Sequence, residues 1–171
     1  AEGLFGAPPV QVVVGAEVHP SVRKALGLLG MGKARVQEVE VDGQGRMRAD
    51  RLPPLTPPAI VILQAGNVNT GAFDPFVEVF DRAHEAGAWV HVDGAFGMWA
   101  AVSPDLRRLT DGMARADSWS TDFHKWLNVP YDCGVVVCAD PEAHRTAASL
   151  SAAYLARAAG RDGSDWTPES S

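Results

Sequence analysis

Two short stretches of this sequence carry side chains that can do chemistry together. The run Ala-Trp-Val-His-Val-Asp-Gly-Ala at residues 88–95 is mostly apolar, brings one acid, Asp93, and then breaks at a glycine. Further along, residues 116–126 form a polar run that ends with His124, Lys125 and Trp126. Ligands of open α/β sheets bind outside the carboxyl ends of the strands. An acid ending one strand and an amine following the next should therefore face one crevice, and we expect a ring-shaped cofactor between them.

Each of these residues also has an ordinary structural interpretation. A lone lysine after a strand is usually a solvated surface charge. A lysine desolvated between a histidine and a tryptophan, as Lys125 would be, is instead a competent Schiff-base amine. Asp93 could simply end its strand, because Asp-Gly is common in turns. A buried carboxylate nevertheless needs a partner, and a protonated ring nitrogen would be one.

Other chemistries fit the residues less well. His91 and Asp93 would share one face of a strand, and with His124 nearby a metal site is conceivable, yet no third ligand has the spacing of a known zinc site. The nucleophile elbow of hydrolases, the P-loop and the dinucleotide-binding glycine motif are not found in the sequence. We therefore expect no metal.

Composition limits the class of protein. The 171 residues are 46% hydrophobic and carry a net charge of −6, enough for one packed domain but without the basic patch that nucleic acid requires. No apolar run approaches the ~18 residues of a membrane span, so we expect no membrane partner and a cytoplasmic location. Cys133 and Cys138 have neither redox nor zinc spacing and are expected to be buried free thiols. The first residue is not methionine and the last residues are polar, so we expect a piece of a longer protein.

Hydrophobic patterning predicts an α/β fold. Strands are expected at residues 11–16, 34–41, 59–63, 89–93, 118–122 and 134–138, with helices near residues 20–29, 75–86 and 141–148 and two short helices within residues 96–115. Strand–helix–strand order favours a parallel sheet. The link between the last two strands is too short for a parallel crossover, so the final strand should be antiparallel. Asp74 is expected to cap the helix that follows it.

Four segments together resemble a known family. They are residues 19–25 (His-Pro-Ser-Val-Arg-Lys-Ala), 66–75, 91–97 (His-Val-Asp-Gly-Ala-Phe-Gly) and 116–126, and they resemble the pyridoxal-phosphate-dependent group II amino acid decarboxylases. These are relatives of aromatic-amino-acid and glutamate decarboxylase. The resemblance implies a fold-type-I large domain: a mostly parallel sheet with one antiparallel strand and helices on both faces. Residues 1–155 would be part of that domain, and residues 156–171 a polar loop leading to a C-terminal region.

The resemblance also implies roles around the cofactor ring. Lys125 would bind pyridoxal phosphate covalently. Asp93 would pair with the ring nitrogen and keep it protonated. Ala95 would pack under the ring, and His19 would stack on the other face, near the substrate carboxylate.

Further residues would hold the rest of the cofactor. His124 resembles a phosphate ligand of the family, and Ser120 is a second candidate for that contact. The loop at residues 66–68 departs from the family's Gly-Thr-Thr, so Asn67 or Asn69 would substitute there. Asp122 stands where relatives carry asparagine, and a carboxylate would repel a phosphate unless it points away.

The implied reaction is decarboxylation of an L-amino acid to an amine and carbon dioxide by a homodimer. A carbon–carbon lyase or an aminotransferase would use Asp93 and Lys125 in the same way, so both remain alternatives. An inactive truncated member acting as an interaction module is a further one. The family's small-residue phosphate loop would precede residue 1, and we expect the 171-residue chain alone to be inactive.

Overall fold

The computed structural model describes residues 4–148 and contains one six-stranded sheet. The strands are β1 (Gln11–Gly15), β2 (Gln37–Val39), β3 (Ala59–Gln64), β4 (Trp89–Asp93), β5 (Ser118–Asp122) and β6 (Gly134–Cys138). The helices are α1 (Pro20–Leu28), α2 (Phe76–Glu85), α3 (Phe123–Trp126) and α4 (Pro141–Ala148). Short 3-10 turns occupy Lys33–Arg35, Ala49–Arg51, Gly97–Val102, Arg107–Thr110 and Met113–Arg115.

The strand order across the sheet is β2-β1-β3-β4-β5-β6. All pairs from β2 to β5 are parallel, and the remaining pair, β5 with β6, is the one antiparallel pair. This confirms the predicted mostly parallel sheet with one antiparallel strand. Because β3, β4 and β5 are parallel neighbours, their carboxyl ends meet at one edge, where a ligand site is expected.

Helices cover both faces of the sheet, as predicted. On one face, α2 packs Val79 and Phe80 against Val61 and Val90, all fully buried. On the other, Leu26 of α1 joins a smaller apolar cluster with strand residues Val12, Val14 and Ile62. Each such side chain contributes ~1.5–3 kcal/mol when fully buried. The two cores hold the strands in place and leave their carboxyl edge free for polar side chains.

Several sequence predictions need correction. The second strand, expected at residues 34–41, is only Gln37–Val39, because a 3-10 turn occupies Lys33–Arg35. The region expected to hold two short helices forms three separate 3-10 turns. Cys133 and Cys138 are free thiols, as expected, but only half-buried.

Asp74 does not cap α2, contrary to the prediction. Pro75 occupies the N-cap position, and no side chain caps the helix. The buried Asp74 carboxylate instead accepts hydrogen bonds from the backbone nitrogens of Met47 (2.6 Å) and Gln64 (2.7 Å). Burial raises the pKa of Asp74 to about 6, although both hydrogen bonds act to lower it. Asp74 therefore fastens the turn before Met47 to the carboxyl end of β3.

The chain divides into two compact units between Val137 and Cys138. In the second unit, Asp140 caps α4, since its Oδ1 accepts from the backbone nitrogens of Glu142 (2.9 Å) and Ala143 (3.0 Å). The predicted bounds of the large domain (1–155) and of the polar tail (156–171) reach outside the described residues and stay predictions. Within residues 4–148, no helix has the length and apolar character needed to cross a membrane.

Candidate active site

A cavity of about 940 Å³ lies at the carboxyl ends of β3, β4 and β5, in the first unit. We call it the site cavity. Most of the predicted site residues line it: His19, Asn67, Asp93, Ala95, Ser120, His124 and Lys125. Asn69 is the exception, because it is not among the lining residues. The acid and the amine singled out in the sequence therefore face the same space.

A polar row crosses the edge of the sheet at this cavity. Gln64 of β3 is the register partner of Asp93 in β4, and Asp93 is the register partner of Ser120 in β5. Asp93 Oδ1 accepts a hydrogen bond from the backbone nitrogen of Ala95 (3.1 Å), which fixes the turn after β4. Parallel register thus sets an amide, a carboxylate and a hydroxyl side by side, about 4.8 Å apart from strand to strand.

Lys125 lies on α3, a single helical turn directly after β5. Its amine is 2.8 Å from Oδ2 of Asp122, and its side chain is 39% exposed. The expected desolvation of Lys125 is therefore not found. An amine that lines a cavity is nevertheless well placed to react with a carbonyl group inside it.

His124 is held more rigidly than its neighbour. Its side chain is 8% exposed, and its ring packs on Tyr131 with centroids 4.1 Å apart. The backbone N–H of Cys133 donates to Nδ1 at 2.9 Å. Since Nδ1 accepts that bond, Nε2 carries the hydrogen and is available to donate to an anion.

His91 connects two serines beneath the row. Its Nδ1 lies 2.8 Å from Ser118 Oγ and its Nε2 lies 3.1 Å from Ser120 Oγ, while Trp89 Nε1 donates to Ser118 Oγ at 2.9 Å. Burial lowers the pKa of His91, against the opposing charge of Asp93, so the ring is neutral at pH 7. The tautomer that satisfies every group has Ser118 donating to Nδ1 and Nε2–H donating to Ser120. The hydroxyl hydrogen of Ser120 is then free to face the cavity.

His19 is held through its backbone as well as its ring. It is the N-cap residue of α1, and its Nδ1 accepts from the backbone nitrogen of Ser21 at 3.3 Å. Its backbone nitrogen donates to Gln64 Oε1 at 3.1 Å, while Gln64 Nε2 donates to the carbonyl of Glu17 at 3.3 Å. Gln64 therefore binds the backbone at both Glu17 and His19 and holds the segment that leads into α1.

The two asparagines of the loop after β3 differ in their roles. The buried amide of Asn67 accepts from the backbone nitrogens of Asn69 (2.9 Å) and Thr70 (3.3 Å), and donates to Glu17 Oε2 (3.1 Å). Its hydrogen bonds thus shape the loop. Asn69 contributes its backbone nitrogen, which donates to Asn67 Oδ1.

Sequence reasoning missed two parts of this arrangement. The sequence predicts that the third strand ends at residue 63, whereas the buried Gln64 is the last residue of β3. A polar residue ending an otherwise apolar strand was the signal that could have identified it. The sequence predicts that His91 shares a face of its strand with Asp93, but it does not predict the contacts of His91 with Ser118 and Ser120.

Comparisons with known proteins identify the family. The family model described as "Pyridoxal-dependent decarboxylase conserved domain" matches residues 8–169. The chain belongs to the pyridoxal-dependent decarboxylase family. It is 35% identical over 147 residues to acidic amino acid decarboxylase GADL1 of Mus musculus, covering 81% of this chain and 27% of that protein. The chain thus spans less than a third of the length of such relatives.

Solved structures of the family share the fold. The crystal structure of mouse CSAD is 32% identical, with a TM-score of 0.74 over 81% of this chain and 31% of that chain. The structure of Oryza sativa TDC with PLP and tryptamine is 26% identical, with a TM-score of 0.80 over 98% of this chain and 36% of that chain. The fold-type-I class predicted from the sequence is confirmed.

Pyridoxal phosphate is the cofactor of this family, and the site cavity fits it. The cofactor has a ring nitrogen, an aldehyde and a phosphate. The cavity offers a carboxylate at Asp93, an amine at Lys125, and N–H and O–H donors at His124 and Ser120. The donor set therefore matches each reactive group of the cofactor.

Proposed function

We propose that the complete protein containing this chain catalyses pyridoxal-phosphate-dependent decarboxylation of an L-amino acid, releasing an amine and carbon dioxide. The supporting observation is that Asp93 and Lys125 line one cavity in a chain of the pyridoxal-dependent decarboxylase family. The relative GADL1 of Mus musculus is an acidic amino acid decarboxylase, and the reaction class is carried over from it.

The cofactor supplies, when bound, an electron-accepting ring for the bond broken at the substrate's α-carbon. Lys125 is the residue that would hold the aldehyde end and give it up to the substrate amine. Asp93 would hold a proton at the ring nitrogen through a charge-assisted hydrogen bond, worth ~1.5–3 kcal/mol. These two residues would therefore fix the long axis of the ring.

The remaining residues would orient the cofactor and the substrate. Ser120 and His124 each have a hydrogen to donate, and both are proposed to bind the phosphate. Ala95 is small enough to lie under a ring without collision. His19, with Nδ1 occupied by Ser21, retains Nε2–H to contact the substrate carboxylate. A homodimer and a cytoplasmic location complete the proposal.

The deciding experiment incubates the full-length protein with pyridoxal phosphate and a panel of L-amino acids. Carbon dioxide and the matching amine are expected as products. Lys125→Ala should abolish turnover and the visible absorbance of the bound cofactor. Lys24→Ala, an exposed lysine of α1 outside the site cavity, should change neither.

Other products would support the alternatives. A keto acid would indicate an aminotransferase, and an aldehyde released by cleavage at the α-carbon would indicate a carbon–carbon lyase. If the full-length protein shows neither cofactor absorbance nor turnover, the interaction-module interpretation is favoured and the proposal is wrong.

A further inference from the structure

Asp122 uses its carboxylate in an unusual way for its position. It is the N-cap residue of α3, where an aspartate usually accepts a backbone N–H of the helix, but its side chain makes no capping hydrogen bond. Oδ2 instead lies 2.8 Å from Lys125 Nζ and 3.7 Å from His124 Nε2. The carboxylate thus leaves the amino terminus of α3 uncapped. It lies near the side chains of Lys125 and His124, which both line the site cavity.

The amine in this ion pair, that of Lys125, is the group to which the cofactor would attach. For Lys125 to react with an aldehyde, its ammonium group must first lose a proton to solvent. The neutral nitrogen then forms a C=N bond as the C=O bond breaks and water leaves. The carboxylate 2.8 Å away holds the nitrogen at the rim, and this ion pair must break before the amine can reach an aldehyde in the cavity. The ion pair therefore opposes the covalent step.

We propose that Asp122 is a positioning residue that holds Lys125 at the rim of the cavity in the cofactor-free protein and thereby slows covalent attachment of pyridoxal phosphate. The inference rests on the proposed function, because it takes Lys125 as the attachment point. The side chains of Asp122 and Lys125 are 27% and 39% exposed, so the effect is that of a partly screened pair, a few-fold and not many orders of magnitude.

The experiment measures attachment directly, without turnover. Full-length protein freed of cofactor is mixed with pyridoxal phosphate, samples are reduced with borohydride at intervals, and the labelled Lys125 peptide is quantified by mass spectrometry. Asp122→Asn and Asp122→Ser should both label about two- to fivefold faster than the unmodified protein, in line with loss of a half-exposed ion pair. Two neutral variants are used so that the rate can still be compared if one of them does not fold.

Two controls separate charge from general disturbance. Asp122→Glu keeps the carboxylate and should label slowly, like the unmodified protein. Asp81→Asn breaks another ion pair of 2.8 Å, that of Asp81 with Arg115, outside the site cavity, and should leave the rate unchanged.

The possible outcomes are distinct. Equal rates in the neutral variants overturn this inference alone. Slower labelling also overturns it, since Asp122 would then assist the amine, for instance by accepting its proton. If the unmodified protein is never labelled at Lys125, the proposed function fails and this inference fails with it.

Discussion

The side-chain oxygen of Gln64 lies 3.1 Å from the backbone nitrogen of His19. This contact joins the start of α1 to β3, the strand beside the one that carries Asp93. Gln64, which also lines the site cavity, therefore sets the position of His19 at that cavity.

Replacing Gln64 with leucine should disturb His19 while keeping the apolar packing of β3. An unsatisfied backbone N–H costs ~1–3 kcal/mol when buried, and the chain before α1 is expected to shift to satisfy it. We expect kcat/KM to fall about tenfold, or ~1.4 kcal/mol, with an altered visible circular dichroism of the bound cofactor. Steady-state kinetics measures kcat/KM, and visible circular dichroism reports the environment of the bound cofactor.

Gln11 provides the matched control for that variant. Its amide also bridges separate segments, by donating to Gln37 Oε1 at 2.8 Å and accepting from the backbone nitrogen of Thr56 at 2.8 Å, but it does not line the site cavity. Gln11→Leu should lower stability without changing the spectrum. Identical spectral changes in both variants would show that Gln64 has no specific role.

Ser120→Ala should weaken cofactor binding. If the hydroxyl of Ser120 donates to the phosphate, its loss removes a hydrogen bond to a charged group, worth ~1.5–3 kcal/mol. The Kd for pyridoxal phosphate, followed by absorbance titration, should rise at least tenfold. Ser118→Ala, which removes the hydroxyl on the other side of His91, should cost stability and change the Kd much less. An unchanged Kd in Ser120→Ala would show that Ser120 does not bind the phosphate.

The raised pKa of Asp74 leads us to expect that the stability of the fold depends on pH. Its pKa is raised from the usual 3.8 to about 6, so folding favours the neutral acid. The stability it contributes is fully present below about pH 4 and is lost as pH rises through about 6. Compared with Asp74→Asn, the cofactor-free protein should lose up to ~3 kcal/mol of unfolding free energy between pH 4 and 7.

Urea unfolding at several pH values measures this difference. The exposed carboxylate of Asp81 serves as the control: Asp81→Asn should reproduce the pH profile of the unmodified protein. A profile of Asp74→Asn parallel to the unmodified one would mean that the two backbone donors, and not burial, dominate the ionisation of Asp74.

Gly97→Ala should destabilise the loop that carries Ala95. A Cβ at this position would collide with the carbonyl oxygen of Ala65 and lie 2.7 Å from the ring of Phe73. Forced packing of this kind costs ~1–3 kcal/mol, measured as a lower Tm and weaker cofactor binding. Gly43→Ala, where a Cβ meets no atom within 4 Å, should have almost no effect. Equal Tm values in the two variants would contradict the close approach seen at Gly97.

The sequence predicted the central strands well because their signals are local. β3 and β4 are apolar runs bounded by proline, glycine and polar residues; the predicted bounds match those of β4 and miss the last residue of β3, Gln64. The short link before β6 indicated its direction for a simple geometric reason. The turns at Gly97–Val102, Arg107–Thr110 and Met113–Arg115 were harder to predict, because 3-10 turns carry no hydrophobic period long enough to recognise.

The site was predicted by residue type but not by contact. Asp93 stood out because it ends an apolar strand, and Lys125 because it follows the next strand. The ion pair between Lys125 and Asp122 depends on α3, a single turn that no periodicity marks. The buried carboxylate of Asp74 looked like a helix cap, since its sequence context suits both roles and only the fold brings Met47 close to it.

The register that aligns Gln64, Asp93 and Ser120 limits how this chain can vary in length. Removing or adding one residue within β3, β4 or β5 would turn the following side chain to the opposite face of the sheet and place a different side chain at the edge. Loops after the row, such as the one holding Asn69, are under no such constraint. Among related sequences, insertions and deletions should therefore fall between these strands and avoid their interiors, so that strand length becomes as recognisable a mark of the site as the residues themselves.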